Sequence, residues 1–177
     1  NRTKLQEFVR VIVDGQLDMI VFFTGVGVSF IVKEAQAMGV MTLFIDALKG
    51  AKLVARGPKP IKALRELKLK PDLVPKIPTS EGLLELLDSS LLLGRSVGVQ
   101  LYGSPNREFC SEIERRGANL QTVQVYNYGP VSDQVRVVEF IDGLVSGVAD
   151  VVAFTSAPQV RSLFHSAKVN GLTDGLM

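Results

Sequence analysis

Apolar residues at Leu5, Phe8, Val9, Ile12 and Val13 recur at helical spacing, which predicts an amphipathic helix over 3–14 that Gly15 ends. Met19-Ile-Val-Phe-Phe23 is a continuous apolar run of strand length. Thr24-Gly-Val-Gly27 and a helical stretch to about Ala37 follow it, with a second short helix over 41–49. Lys52-Leu-Val-Ala55 reads as the next strand, closed by Arg56-Gly57-Pro58. A proline in the first turn costs a helix no hydrogen bond, so a helix from Pro58 to about Leu67 fits.

The same rhythm continues. Asp72-Leu-Val74, between Pro71 and Pro75, reads as a short strand, and Thr79 or Ser80 as the cap of a helix reaching Leu87. Val97, Val99 and Leu101 alternate with Gly98, Gln100 and Tyr102 on a strand. Ser104-Pro105 then opens a helix to Arg116, which Gly117 ends with a left-handed cap. A further strand is predicted over 120–126. Strand, turn, helix and strand again, without hairpin signals, means βαβ units and a parallel sheet.

Asn127-Tyr-Gly-Pro-Val-Ser-Asp133 breaks this order and marks a crossing between domains. Beyond it the pattern predicts a helix over 133–146, a strand over 150–154 and a last helix reaching Lys168. Ser156 and Gln159 have the spacing of a capping box at that last helix. Phe23-Thr24-Gly25 and Phe154-Thr155-Ser156 each end an apolar run preceded by a helix, a glycine and an aspartate. This is a short internal repeat that suggests two domains of one architecture.

Composition narrows the classes. Twenty Lys and Arg against 18 Asp and Glu leave a net charge of +2, which argues against a surface dedicated to coating nucleic acid. One cysteine excludes an internal disulfide framework, and with one histidine it argues against an ordinary zinc site. The longest apolar run, 19–23, is far short of the ~20 residues of a membrane span. The opening Asn1-Arg-Thr-Lys4 lacks a signal-peptide pattern, so a cytoplasmic location is expected. An opening without methionine and an unfinished close suggest an internal piece of a longer protein.

In an open parallel sheet, ligands bind beyond the carboxyl ends of the strands, where helix amino termini turn free amides outward. Five turns occupy such positions: Thr24-Gly25-Val26, Arg56-Gly57-Pro58, Tyr102-Gly103-Ser104, Tyr126-Asn127 and Thr155-Ser156-Ala157. At any single turn the threonines and serines more often serve as plain helix caps. Other motifs are lacking: Gly25-Val-Gly27-Val-Ser-Phe30 puts phenylalanine where a dinucleotide fingerprint needs a small residue, and no Gly-x-Ser-x-Gly elbow occurs. His165 reads as a helix-surface residue and Cys110 as a small buried hydrophobe. Glu112 and Glu114 read as solvated, and Arg115-Arg116 as a basic helix end. What remains is a site of amides, hydroxyls, arginines and tyrosines, suited to holding a reactive anion.

The order of motifs resembles the uroporphyrinogen III synthase family. The matching stretches are Ile20-Val-Phe-Phe-Thr-Gly25, Leu53-Val-Ala-Arg-Gly-Pro-Lys59, residues 64–71, Pro78-Thr-Ser-Glu-Gly82, Val99-Gln-Leu-Tyr-Gly103, residues 117–126 and Val152-Ala-Phe-Thr-Ser-Ala-Pro158. The Thr-Gly and Arg-Gly-Pro variants resemble bacterial forms, including those joined to a DNA-binding regulatory domain. The resemblance implies two flavodoxin-like α/β domains with parallel three-layer sheets. On that template residues 1–126 are a complete inner domain, 127–130 the crossing strand and 131–177 part of the second domain.

The resemblance also implies a lyase that cyclises hydroxymethylbilane to uroporphyrinogen III in haem, sirohaem and cobalamin biosynthesis. It implies no cofactor or metal, hydroxymethylbilane synthase as the upstream partner, and a monomer. Carried over residue by residue, Thr24, Gly25, Gly57, Gly103, Ser104, Thr155 and Ser156 are substrate-binding positions, and Val26, Arg56, Lys59, Arg107 and Ala157, in or beside the same strand-end turns, are expected to join them. Tyr126 matches a cleft tyrosine, either proton donor or orienter. The competing reading is a non-catalytic module of the same fold that senses a tetrapyrrole or another polyanion.

Overall fold

The structure, a computed structural model, describes residues 2–103, 106–125, 134–155 and 157–176. Two compact units divide at Tyr128 and Gly129.

In the first unit, α1 (Arg2–Val13) presents Leu5, Phe8, Val9 and Ile12 as one buried face. β1 (Met19–Phe22) leads through the Thr24 cap into α2 (Gly25–Ala37), followed by α3 (Met41–Gly50) and β2 (Lys52–Ala55). Proline opens α4 (Pro58–Glu66) as its sequence requires. α5 (Ser80–Leu86) is capped by Thr79, whose hydroxyl accepts the Gly82 amide at 3.1 Å. The one-turn helix α6 (Ser89–Leu92), capped by Asp88, is too short to leave a periodic signal in the sequence. β3 (Ser96–Leu101), α7 (Arg107–Arg115) and β4 (Asn119–Gln124) complete the unit, with Gly117 left-handed at φ 92° where α7 ends.

The four strands form one parallel sheet in the order β2-β1-β3-β4. Strand alternation sends Ile20 and Phe22 into one apolar layer with Phe8, Ile12, Ile31 and Leu64. Met19, Val21 and Phe23 enter the opposite layer with Leu83, Val99, Phe109 and Ile113. Helices thus cover both faces, and the unit is a three-layer α/β sandwich.

The expected strand at 72–74 reduces to a single bridge between Val54 and Leu73. Pro71 and Pro75 lack the N–H groups that would extend a ladder. The Asp72 carboxylate instead accepts the Leu53 amide at 2.7 Å.

The second unit contains α8 (Gln134–Val145) and α9 (Ala157–Val169), with Ile141, Leu163 and Ala167 in its core and a 3₁₀ turn at Asp174–Leu176. The expected strand over 150–154 does not form, and Val151 is 84% exposed. A strand needs a neighbour to receive its backbone bonds, and the described part of this unit offers none. Among the described residues no helix is long and apolar enough to cross a membrane.

Candidate functional site

Because β1, β2 and β3 are parallel neighbours, the turns leaving their carboxyl ends share one edge of the first unit. Thr24 is extended there, at φ −142° and ψ 147°, and its hydroxyl accepts the Gly27 amide at 3.0 Å. That hydroxyl is a helix cap rather than a free ligand group. The amides of Gly25 and Val26 belong to the first turn of α2, where no intrahelical acceptor exists, and among the described residues they have no other. A Cβ on Gly25 would lie 2.7 Å from the Lys59 carbonyl oxygen, so this turn and the first turn of α4 are in direct contact.

Arg56 leaves β2 half-buried, its amide donating to the Phe22 carbonyl at 3.0 Å. Its guanidinium sits 4.7 Å from the centroid of the Tyr102 ring and 5.2 Å from that of Phe23. It has no carboxylate partner among the described residues. A cation held by ring faces keeps its planar fork of donors for a ligand. Gly57 caps α4 and packs against Pro78, leaving no room for a side chain: a Cβ there would stand 2.9 Å from that of Pro78. Lys59, next in line, is exposed.

Gly103, buried after β3, has φ 66°, and its carbonyl accepts the Gln124 side-chain amide. Ser104 lies outside the described residues. The cap of α7 is Asn106, whose side-chain oxygen accepts the Phe109 amide at 3.2 Å, so the helix starts later than the expected Ser104-Pro105 opening. Asn106 also donates to the Ser80 hydroxyl at 2.8 Å, tying α7 to α5. Arg107 is the exposed first residue of α7. Tyr126 lies outside the described residues.

In the second unit the Gln159 side-chain oxygen accepts both the Thr155 amide, at 3.0 Å, and its hydroxyl, at 3.1 Å. Ser156, the other half of the expected capping box, is outside the described residues, and Ala157 opens α9.

The described turn residues thus combine unused amides with Arg56, Lys59 and Arg107 and carry no carboxylate, which favours anions. Among the described residues no group of three or more His, Cys, Asp or Glu is placed to hold a metal. His165 is exposed on α9. Cys110 is half-buried, and burial, then the Glu114 charge, raises its thiol pKa. Glu112 is not merely solvated: Arg115 and Arg116 both donate to it at 2.7 Å and hold its carboxyl at about 2. Arg116 also donates to the carbonyls of Leu84 and Leu87, tying α7 to the end of α5.

A cavity of about 580 Å³ opens at the opposite edge, beside the strand starts, lined by Asp18, Lys52, Asp72, Ser90 and Arg95 among others. Its carboxylates already serve the fold: Asp18 accepts the Ser96 amide at 2.8 Å and pairs with Arg95 at 3.2 Å. Asp72 holds Leu53. The carboxyl edge, with its unused donors, is the better candidate site.

Two residues at that edge escaped sequence reasoning as site residues. Gln100 is fully buried and Phe23 supplies a ring beneath Arg56. A polar residue inside a parallel strand, both faces of which are buried, is the signal that would have drawn attention to Gln100.

The first unit is thus a mixed α/β protein with a four-stranded all-parallel sheet and a donor-rich carboxyl edge. The chain belongs to the uroporphyrinogen-III synthase family, whose description, uroporphyrinogen-III synthase HemD, matches residues 1–177. It is similar to a solved uroporphyrinogen III synthase of the extreme thermophile Thermus thermophilus, a methionine-substituted mutant, with a TM-score of 0.75 and 31% identity over 96% of this chain and 64% of that one. The uncharacterized protein YjjA of Bacillus subtilis strain 168 is 31% identical over 163 residues, 92% of this chain and 60% of its own. A protein of Methanothermobacter thermautotrophicus, provisionally named a uroporphyrinogen-III synthase, is 33% identical over 111 residues, 63% of this chain and 44% of its own. The chain therefore spans 44% to 64% of the length of these relatives.

Proposed function

We propose that this chain is part of a uroporphyrinogen III synthase, a lyase that cyclises hydroxymethylbilane with inversion of its last pyrrole ring. The observation that carries the reading is the shared edge of the family-matched sheet. There the amides of Gly25 and Val26 and the stacked Arg56 guanidinium have no acceptors among the described residues.

The substrate bears eight carboxylates and is already reactive. Loss of its hydroxyl as water gives an electrophilic azafulvene. The substituted carbon of the last ring attacks it, giving a spiro intermediate, and fragmentation followed by recombination inverts that ring before closure. Closure without help gives the uninverted isomer, so the protein's task is orientation and stabilisation of developing charge. In this reading the turn amides and Arg56 grip carboxylates of the substrate, with Gly103 and Ser104 admitting it closely and Gly57, packed on Pro78, starting α4 at the same edge. Lys59 and Arg107 add attraction from the rim. The resemblance assigns the same purpose to Thr155, Ser156 and Ala157 within residues 131–177. Tyr126 donates a proton to the departing hydroxyl or orients the last ring.

Titration with uroporphyrinogen III tests the binding half of the proposal. Saturable binding that weakens with salt is expected, because carboxylates held by amides and guanidinium groups are partly screened. Absence of saturable binding would count against it.

A further inference from the structure

Gln100 has no exposed surface, lies on β3 and reaches across to the turn that follows β1. Its side-chain oxygen accepts the Thr24 amide at 3.1 Å and faces the Thr24 hydroxyl at 3.4 Å, while its Nε2 donates to the Leu101 carbonyl at 2.5 Å. The Thr24 hydroxyl in turn receives the Gly27 amide. Gly27 leaves room for this arrangement: a Cβ there would fall 2.0 Å from the Gln100 Cδ. One carboxamide therefore fixes both the amide and the hydroxyl of the cap residue whose next two amides, Gly25 and Val26, have no acceptor among the described residues.

A leucine or methionine would fill this interior without the desolvation cost of an amide, so packing alone does not call for glutamine. We propose that Gln100 is a positioning residue of the anion-binding edge, setting the direction of the Gly25 and Val26 amides through its hold on Thr24. Gly27 is its partner, kept free of a side chain so that the carboxamide can enter. The inference rests on the reading of this edge as the substrate cradle and adds to it a buried residue that does not touch the ligand.

Three variants of the whole protein test the inference, assayed with hydroxymethylbilane alongside amide exchange at Thr24. Gln100→Met keeps the volume and removes the acceptor. A roughly tenfold rise in KM with kcat within about threefold is expected, the pattern of lost binding shared by ground and transition states. Its Thr24 amide should exchange faster than in the wild type. Gln100→Glu, neutral when buried and then isosteric, should restore KM to within about threefold of the wild type. Gly27→Ala displaces the carboxamide without deleting it and should raise KM as Gln100→Met does, so the inference stays open to refutation if the methionine variant fails to fold. An unchanged KM in a folded Gln100→Met or Gly27→Ala protein would overturn the positioning role, as would a KM in Gln100→Glu as high as in Gln100→Met. A wild type that neither turns over hydroxymethylbilane nor binds uroporphyrinogen III would instead remove the cradle reading, and this inference with it.

Discussion

The Arg56 guanidinium lies over the Tyr102 ring, 4.7 Å from its centroid, so a cation from the end of β2 is held by an aromatic residue from the end of β3. The strand between them, β1, supplies the second ring through Phe23. Three turns that are far apart in sequence are thereby joined around one fork of N–H donors. Such stacking contributes about 0.5–2 kcal/mol and, more usefully here, restricts where the guanidinium can point.

Arg56→Ala should therefore weaken uroporphyrinogen III binding by about tenfold, the lower range for a charge-assisted hydrogen bond. Exposed Lys59→Ala and Arg107→Ala should each cost only about two- to threefold, as screened surface charges do. Isothermal titration of the three variants at one salt concentration separates the cases. Equal losses at all three positions would show that Arg56 has no special role.

Gly25 and Gly50 make a matched pair for stability. A methyl on Gly25 would meet the Lys59 backbone carbonyl at 2.7 Å, whereas Gly50, the last residue of α3, has no atom within 4 Å of where its Cβ would stand. Gly25→Ala should destabilise by about 1–3 kcal/mol as an overpacked contact against backbone. Gly50→Ala should stabilise by about 0.4–1 kcal/mol by restricting the unfolded chain. Urea unfolding midpoints decide the sign of each.

Glu112 gives a pH signature. Its carboxyl titrates at about 2 in the folded protein because Arg115 first, and then Arg116, donate to it, against an ordinary value of 4.5. Its pairing therefore supports the fold fully above about pH 4.5 and fades as the pH falls through about 2. Glu112→Gln should be less stable than the wild type at pH 7, with the difference closing towards pH 2. A difference that stayed constant across that range would assign the effect to packing instead.

The first unit should stand alone. Its sheet is covered on both faces by extensive apolar layers, while the described core of the second unit rests on Ile141, Leu163 and Ala167. A fragment of residues 1–128 is expected to unfold in one cooperative transition with a midpoint close to that of the main transition of the whole chain. A fragment that melts without cooperativity would show that the division at Tyr128 cuts through one folding unit.

Much of the first unit was legible in the sequence because its signals are local. The helical spacing in α1, Thr24 before α2, the prolines at the head of α4 and the apolar runs of β1 and β2 each specify structure within a few residues. Where the reading missed, the deciding partner lay elsewhere. Asn106 rather than Ser104-Pro105 begins α7, a choice between adjacent capping candidates that its bond to Ser80 helps to fix. The 150–154 segment has the composition of a strand, but a strand exists only beside another. At the site, the turn residues were legible as strand-end positions. Their convergence depends on the strand order β2-β1-β3-β4, and the stacking of Arg56 on Tyr102 and the insertion of Gln100 beside Gly27 follow from it. Contacts between residues so distant in sequence leave no spacing to read.

A uroporphyrinogen III synthase is distinguished by the isomer it makes. Full-length protein containing this chain, incubated with hydroxymethylbilane, followed by oxidation and chromatographic separation of the uroporphyrin isomers, tests the proposed function most directly. Predominantly the type III isomer, formed faster than spontaneous closure, is expected. Type I alone, appearing at the rate seen without protein, would contradict it.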